Sequence, residues 1–303
     1  MTTFAFLLGS GRCGSTLVHE VLARHPDVGF VSNLDDRLPA IDALGRSNRA
    51  AYRVVPPALT RKGRPRFAPS EGYRLLARRV SPAVVDPCRD LVADDATPWL
   101  AERFRGFFVR RAAAQASPLF LHKFTGWPRA GFIQRALPDA RFVHVIRDGR
   151  AVANSLLQMP WWRGYLGPER WGWGPLPDPY AREWASSGRS FVVLAGIEWK
   201  LLMDAFDRAR GTVPPERWLD IRYEDIVADP RAAFAEMMGF LGLAWSDDFE
   251  RAFSRHEFRM SRLDAYRNEL SLRDVELLDR SLAKHLVRAG YSTEVDRAGR
   301  ATA

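Results

Sequence analysis

The 303-residue sequence predicts an α/β fold, with a central parallel sheet and helices on both of its faces. Three observations predict it. Short apolar runs alternate along the chain with stretches of helical periodicity, the pattern of strand–helix–strand units. The later runs are apolar on both faces, as buried parallel strands are. No internal repeat or linker interrupts the pattern, so residues 1–303 are predicted to form a single domain.

The apolar runs place the strands in order. The first is predicted at residues 4–8, and the others at VGFVS (28–32), LFLHKF (119–124), ARFVHVI (140–146) and RWLDIRYEDI (217–226). Capping residues and glycines place the helices between them. These helices are predicted after the glycine loop at 9–14, around 130–137, after Asp148, over 180–210, from Asp229 to Gly242 and from Ser271 to Gly290.

Two stretches depart from this alternation. Residues 35–117 are rich in arginine, proline and alanine, and they predict a helical insertion over the carboxyl edge of the sheet, with an irregular loop at 56–69. Its cations form either a solvated face or a funnel for an anionic ligand. Residues 159–180 are rich in Gly and Pro and contain Trp161, Trp162, Trp171 and Trp173. We expect this stretch to be a mobile lid or a wall of a ligand pocket.

Composition limits the function classes. Lys and Arg number 45 against 36 Asp and Glu, and the net charge of +9 suits an anionic ligand, an acidic substrate or nucleic acid. No motif of a known nucleic-acid-binding module appears, although a basic nucleic-acid-binding protein remains an alternative. The only two cysteines, Cys13 and Cys88, give neither a disulfide framework nor metal-ligand spacing. The cysteine content predicts a metal-free protein in a reducing, cytoplasmic setting. No apolar run is long enough to span a membrane.

The glycine loop after the first strand predicts an anion site. Gly9, four residues, Gly14, one residue and Thr16 nearly reproduce the spacing of a P-loop. Backbone amides and a helix N-terminus there attract a phosphate. Ser15, however, replaces the P-loop lysine, and the cation is Arg12 instead. This change disfavours an ATP-dependent phosphotransferase, which remains an alternative, as does a plain glycine turn.

A second anion site is predicted at VIRDGRAVANSLL. Arg147 follows a buried strand at its carboxyl end, where open α/β sheets bind ligands, and Ser155 lies two turns into the next helix. An arginine and a hydroxyl suit a separate phosphate. An Asp148–Arg150 ion pair would explain those two residues but not Arg147. A donor with two distant anionic ends explains both sites.

Three motifs in order resemble the sulfotransferases that use 3′-phosphoadenylyl sulfate (PAPS). They are GSGRCGSTL, RFVHVIRDGRAVANSLL, and RYEDIVADP followed by FLGLAWSD, and they are most similar to the bacterial and tyrosylprotein-type branch. The resemblance implies a P-loop-like three-layer fold and PAPS as the donor. It also implies a metal-free sulfuryl transfer to a hydroxyl or amine, with adenosine 3′,5′-bisphosphate as the product.

The resemblance also implies roles for individual residues. Arg147 and Ser155 would hold the 3′-phosphate, and Tyr223 would lie against the adenine. Lys123 would stabilise charge on the leaving oxygen, together with fixed positive charge from Arg12. The 5′-phosphosulfate would lie against Arg12, Cys13, Gly14, Ser15 and Thr16. A C-terminal loop containing Ser261 and Arg262 would close over the nucleotide.

The general base is where the sequence departs from this family. Tyrosine-sulfating members have a glutamate at the position that Asn33 occupies here. Asp35 is our preferred base, and the alternative interpretation is that it caps a helix. His122 is a second candidate, but strand alternation points it away from Lys123. The acceptor is predicted to be a small molecule, namely a sugar, lipid or aromatic natural product, and the sequence does not separate these.

Overall fold

The computed structural model describes residues 2–55 and 67–293. Five parallel strands form one sheet in the order β2-β3-β1-β4-β5, which confirms the predicted α/β fold. They are β1 (Thr3–Gly9), β2 (Val28–Gly29), β3 (Leu119–Thr125), β4 (Arg141–Ile146) and β5 (Trp218–Arg222). The strand order reverses at β1, because β3 and β4 pair with its two sides. Ligands bind at the carboxyl ends of the strands beside such a reversal.

Fifteen α-helices surround the sheet in the part of the chain that the structure describes. They are α1 (Ser15–Leu22), α2 (Asn33–Arg37), α3 (Asn48–Val54), α4 (Tyr73–Arg79), α5 (Pro82–Val85), α6 (Pro98–Ala114), α7 (Ala130–Ala136), α8 (Gly149–Leu157), α9 (Asp178–Ser186), α10 (Phe191–Arg210), α11 (Tyr223–Ala228), α12 (Pro230–Leu241), α13 (Asp247–Phe253), α14 (Ala265–Glu269) and α15 (Leu272–Arg288).

Alternation along the strands divides the core between the two faces of the sheet. Phe6 and Phe124 pack on the face that α6 covers with Phe104. Leu7 and Leu121 belong to the opposite core, which α1 and α12 cover. This alternation decides which side chains of β3 can reach the glycine loop at the start of α1.

Several predicted boundaries move. The second strand shrinks to two residues, and the helix predicted over 180–210 is two helices, separated where Gly188 and Arg189 take positive φ angles of 69° and 58°. The last strand ends at Arg222, and the residues after it form α11. Within the predicted insertion, α6 packs on the sheet face and so is part of the core. Most of the loop predicted at 56–69 lies outside the described residues.

The predicted caps are confirmed. Asp148 accepts a hydrogen bond from the Arg150 amide at the start of α8, and Asp229 accepts one from Ala232 at the start of α12. Ser271 accepts one from the Asp274 amide and begins α15. Each cap satisfies one backbone donor that the first helical turn leaves unpaired. Among the described helices, none is both long and apolar enough to cross a membrane.

Candidate functional site

A pocket of about 760 Å³ opens at the carboxyl edge of the sheet. Its walls come from segments that are distant in sequence: the glycine loop, the ends of β3 and β4, α8, α11 and residues 257–269. The sequence-predicted residues that line it are Arg12, Gly14, Ser15, Thr16, Lys123, Arg147, Ser155, Tyr223 and Arg262. The parallel strands bring both predicted anion sites to one cavity.

The glycine loop is held by an aromatic ring. Gly14 has a φ of 91°, and a Cβ built there would lie 2.2 Å from the ring of Tyr223, so both backbone conformation and space require glycine. Arg12 also has a positive φ, 54°, which is uncommon for a residue with a side chain. The chain therefore keeps a strained turn at the start of α1, as functional loops often do.

Three guanidinium groups meet between the loop and α8. Arg12 donates its Nε–H to Ser155 Oγ at 2.8 Å. Arg147 donates to the carbonyl oxygens of Arg12 at 2.9 Å and of Arg262 at 2.7 Å. Burial, followed by repulsion from Arg147, lowers the pKa of Arg12. Arg262 forms an ion pair with Glu269, with the guanidinium nitrogen 3.4 Å from the carboxylate oxygen. Within the described ranges this is one ion pair for three guanidinium groups, and the excess of positive charge suits a multivalent anion.

Lys123 is buried on the α1 side of β3. Its Nζ donates to Thr16 Oγ1 at 2.7 Å and lies 2.9 Å from Glu71 Oε1. The ammonium group thus connects the glycine loop to a carboxylate at the mouth of the pocket. A point charge fixed in this way suits charge that develops on a transferring group.

Glu71 is the acidic group that sequence reasoning missed. It lines the pocket and accepts a hydrogen bond from Thr125 Oγ1 at 3.0 Å. Burial raises its pKa, but the ion pair and hydrogen bond with Lys123 and the hydrogen bond from Thr125 outweigh this and lower it to about 2. One signal was available: Glu71 is the single acidic residue among residues 43–85, which contain ten Lys and Arg.

Comparison with known proteins settles the family. A family model described as "Sulfotransferase family" matches residues 5–247. The chain belongs to the sulfotransferase family. Similar solved structures include the sulfotransferase domain from the curacin biosynthetic pathway, with 15% identity, a TM-score of 0.54 and coverage of 97% of this chain and 99% of that one. Sulfotransferase STF9 from Mycobacterium avium has 16% identity, a TM-score of 0.56 and coverage of 97% and 78%. No curated protein matches the sequence.

At these identities the two structures support the P-loop-like fold, and the family match adds the reaction class. The matched range contains the glycine loop, Lys123, Arg147 and Tyr223 of this sulfotransferase. Arg262 lies beyond that range but reaches the pocket. Cys13 and Ser261 do not line it: the Cys13 side chain is buried in the core beneath the loop, and Ser261 is exposed.

Both predicted bases lie outside the sulfotransferase pocket. Asp35 closes a capping box, in which its Oδ2 accepts from the amide and hydroxyl of Ser32, each at 2.8 Å, and from Asn48 at 2.7 Å. This is the capping interpretation considered for it above. His122 lies in the opposite core against Phe108 and Phe124, and burial holds its pKa well below the usual value. Strand alternation therefore separates His122 from Lys123, as expected.

The segment that carries Glu71 lies beside the segment that carries Asn33. Residues 67–70 lie beside the segment after β2: Ser32 forms an antiparallel bridge with Pro69, and the Ser70 amide donates to Val31 at 2.8 Å. Tyr73 accepts from the Thr125 amide at 3.2 Å and fixes the segment to the end of β3. Asn33 has no carboxylate, and Glu71 lies in a neighbouring segment, 38 residues later in the sequence.

The tryptophan-rich stretch divides into two parts. Trp161 is 59% exposed and lines the pocket with Met159. Trp162 and Trp171 are buried in the core, which corrects the expectation that the whole stretch forms the lid or wall. The Trp162 indole donates to the buried Glu198 at 2.9 Å, and burial raises the pKa of that carboxyl to about 7 despite this hydrogen bond.

Proposed function

We propose that the protein transfers a sulfuryl group from PAPS to a hydroxyl or amine of a small-molecule acceptor. The observation that carries the proposal is the pair of separate cation sites in one pocket. Lys123 and Arg12 stand at the glycine loop, and Arg147 and Arg262 stand on the α8 side, with Arg12 also donating to Ser155. A donor with one anionic group at each end fits this separation. A triphosphate chain would require its charge-binding lysine within the loop, where Ser15 lies.

The donor would be held by charge-assisted hydrogen bonds at both ends. We assign the 5′-phosphosulfate to the loop from Arg12 to Thr16, where α1 adds the partial positive charge of its N-terminus. We assign the 3′-phosphate to Arg147 and Ser155. Tyr223 packs against Gly14 and stacks with the Arg147 guanidinium at 4.8 Å, which suits a ring that also borders the adenine. When bound, PAPS supplies the group that is transferred.

Lys123 and Glu71 would each act on the transfer step itself, in different ways. We assign to Lys123 the stabilisation of negative charge at the glycine loop, and to Glu71 the removal of the proton from the acceptor. A pKa of about 2 makes Glu71 a weak base while Lys123 is paired to it. When negative charge develops on the transferred group, the Lys123 ammonium group interacts with that charge. Its attraction for the Glu71 carboxylate then becomes weaker. Burial then raises the basicity of Glu71.

Arg147→Ala tests the donor. We expect it to weaken binding of adenosine 3′,5′-bisphosphate by about ten- to a hundred-fold, because loss of a charge-assisted pair costs about 1.5–3 kcal/mol. Binding of 5′-AMP should change much less, because that nucleotide lacks the 3′-phosphate. Calorimetric titration of both nucleotides measures the difference. Equal losses would show that Arg147 acts only through its backbone contacts, and tighter binding of ATP would favour a phosphotransferase.

Trp161→Ala tests the acceptor wall. Because Trp161 is exposed in the pocket, we expect its loss to raise the acceptor KM several-fold and to leave nucleotide affinity unchanged. Steady-state kinetics with sulfate-labelled PAPS measures both. Trp99→Ala, which removes an exposed tryptophan at the start of α6, is the matched control. A Trp161→Ala enzyme with the same KM would remove this residue from the acceptor site.

A further inference from the structure

A second basic concavity lies at the other end of α1. Arginines from three segments line this groove of about 390 Å³: Arg24 after α1, Arg53 on α3, and Arg251 with Arg255 at α13. A smaller recess shares Arg24, Arg53 and Arg255 with it. Glu20 lines both that recess and the nucleotide pocket, so the concavities approach each other along α1. We call the two together the arginine groove.

Arg24 is the centre of the arginine groove. It is only 8% exposed, and its guanidinium lies over the Tyr52 ring at 3.9 Å and donates to the Tyr52 carbonyl oxygen. Both contacts are neutral, and no ion pair with a carboxylate is found for Arg24 within the described ranges. A buried charge without an opposite charge is costly, and a bound anion would remove that cost.

The other charged residues of the groove also leave an excess of positive charge. Asp248 is shared between Arg53, at 2.8 Å, and Arg251. Arg255 makes no side-chain hydrogen bond or ion pair with any residue that the structure describes. Among the residues that the structure describes, four guanidinium groups therefore face the two carboxylates that line the groove, those of Asp248 and Glu20, which leaves an excess of positive charge. His256, in the smaller recess, adds no negative charge.

We propose that the arginine groove is a second anion site, which binds a phosphate or sulfate group. The eight residues of α1 separate it from the glycine loop by about 12 Å. An elongated acceptor could place a charged end in the groove and its reacting hydroxyl beside Glu71. This role as acceptor site rests on the proposed function, whereas the anion site itself does not. A free phosphate is the other source of the same chemistry.

The test begins with the nucleotide pocket filled. Sodium pyrophosphate is titrated calorimetrically into protein saturated with adenosine 3′,5′-bisphosphate, and we expect one pyrophosphate bound per chain. Arg255→Gln and Arg24→Gln should each weaken it at least tenfold. Arg273→Gln, an exposed arginine on α15, should have no effect. Because Arg255 is exposed and makes no side-chain hydrogen bond or ion pair with the described residues, its variant stays informative even if Arg24→Gln unfolds.

A kinetic experiment then distinguishes a phosphate carried by the acceptor from a free phosphate as the anion that binds in the groove. A hydroxyalkyl phosphate long enough to span α1 is compared, as acceptor, with the same alcohol lacking the phosphate. Higher kcat/KM for the phosphate, lost in Arg255→Gln, assigns the groove to the acceptor. Pyrophosphate binding without that preference assigns it to a free anion. No pyrophosphate binding, or equal binding by the groove variants, overturns the site. Failure to bind the bisphosphate would instead refute the donor, and the effect of Arg255→Gln on pyrophosphate binding would still report on the groove, because Arg255 does not line the nucleotide pocket.

Discussion

Glu71→Gln is expected to lower kcat about 10²–10⁴-fold, the usual contribution of a general base. Gln keeps the size of the side chain and can still accept from Thr125, but it cannot take a proton. Affinity for adenosine 3′,5′-bisphosphate should change little, because Glu71 contacts Lys123 and Thr125 and not Arg147 or Ser155, which are assigned to the 3′-phosphate. Single-turnover rates and nucleotide titrations of the purified variant measure the two quantities separately.

The pH profile separates Glu71 from the other two candidates. Removing the base should abolish the acidic limb of the pH–rate profile. Asp35→Asn should instead weaken the capping box of α2, at a cost of about 1 kcal/mol in stability, and keep the wild-type profile. His122→Ala should destabilise the core, because the ring is buried among phenylalanines. An unchanged profile in Glu71→Gln, with the acidic limb lost in Asp35→Asn, would restore Asp35 as the base.

The sequence predicted many of the residues that line the pocket, because each group of them is defined locally. The glycine loop, Arg147 and Ser155 each stand at a fixed distance from a strand end, and parallel strands bring their carboxyl ends together. Alternation along β3 also predicted that Lys123 and His122 point to opposite faces of the sheet, as they do. These predictions required only strand period and strand direction. The structure then added the contacts between the two halves, such as the hydrogen bond from Arg12 to Ser155.

Glu71, the base that we propose, was missed because its position depends on tertiary contacts. Glu71 reaches the pocket through the bridge between Ser32 and Pro69 and through the bond between Tyr73 and Thr125. No periodicity in residues 35–117 indicates either contact. Trp161 and Trp162 also could not be distinguished from the sequence. They are adjacent residues of one type, but Trp161 lines the pocket and Trp162 is buried in the core. Composition identified that stretch as unusual, but packing decided which ring is exposed.

Lys123→Met is expected to lower kcat about 10²–10³-fold, with a smaller change in donor affinity. Met fills nearly the same buried volume but has no charge, so the loss reports charge that develops in the chemical step. Lys284→Met, an exposed lysine on α15, is the matched control and should behave like the wild type. Pre-steady-state rates with labelled PAPS, together with titration of the bisphosphate, separate the two effects.

The same variant has a second consequence, which tests the ion pair directly. Lys123 supplies the main attraction that lowers the pKa of Glu71 to about 2, and burial acts in the opposite direction. Without the ammonium group, the carboxyl should titrate at a higher pH in the folded protein. The stability that Glu71 contributes above its unfolded pKa, and loses as pH falls towards 2, should then disappear. The melting temperatures of wild type and Lys123→Met, measured from pH 3 to 7, should therefore differ most near pH 7.

The double variant Lys123→Met/Glu71→Gln should recover part of that difference, because it leaves no unpaired carboxylate. The assignment of Lys123 would be contradicted if Lys123→Met had a kcat within tenfold of the wild type and the same pH dependence of the melting temperature. Lys123 would then act neither in the reaction nor in an ion pair with Glu71.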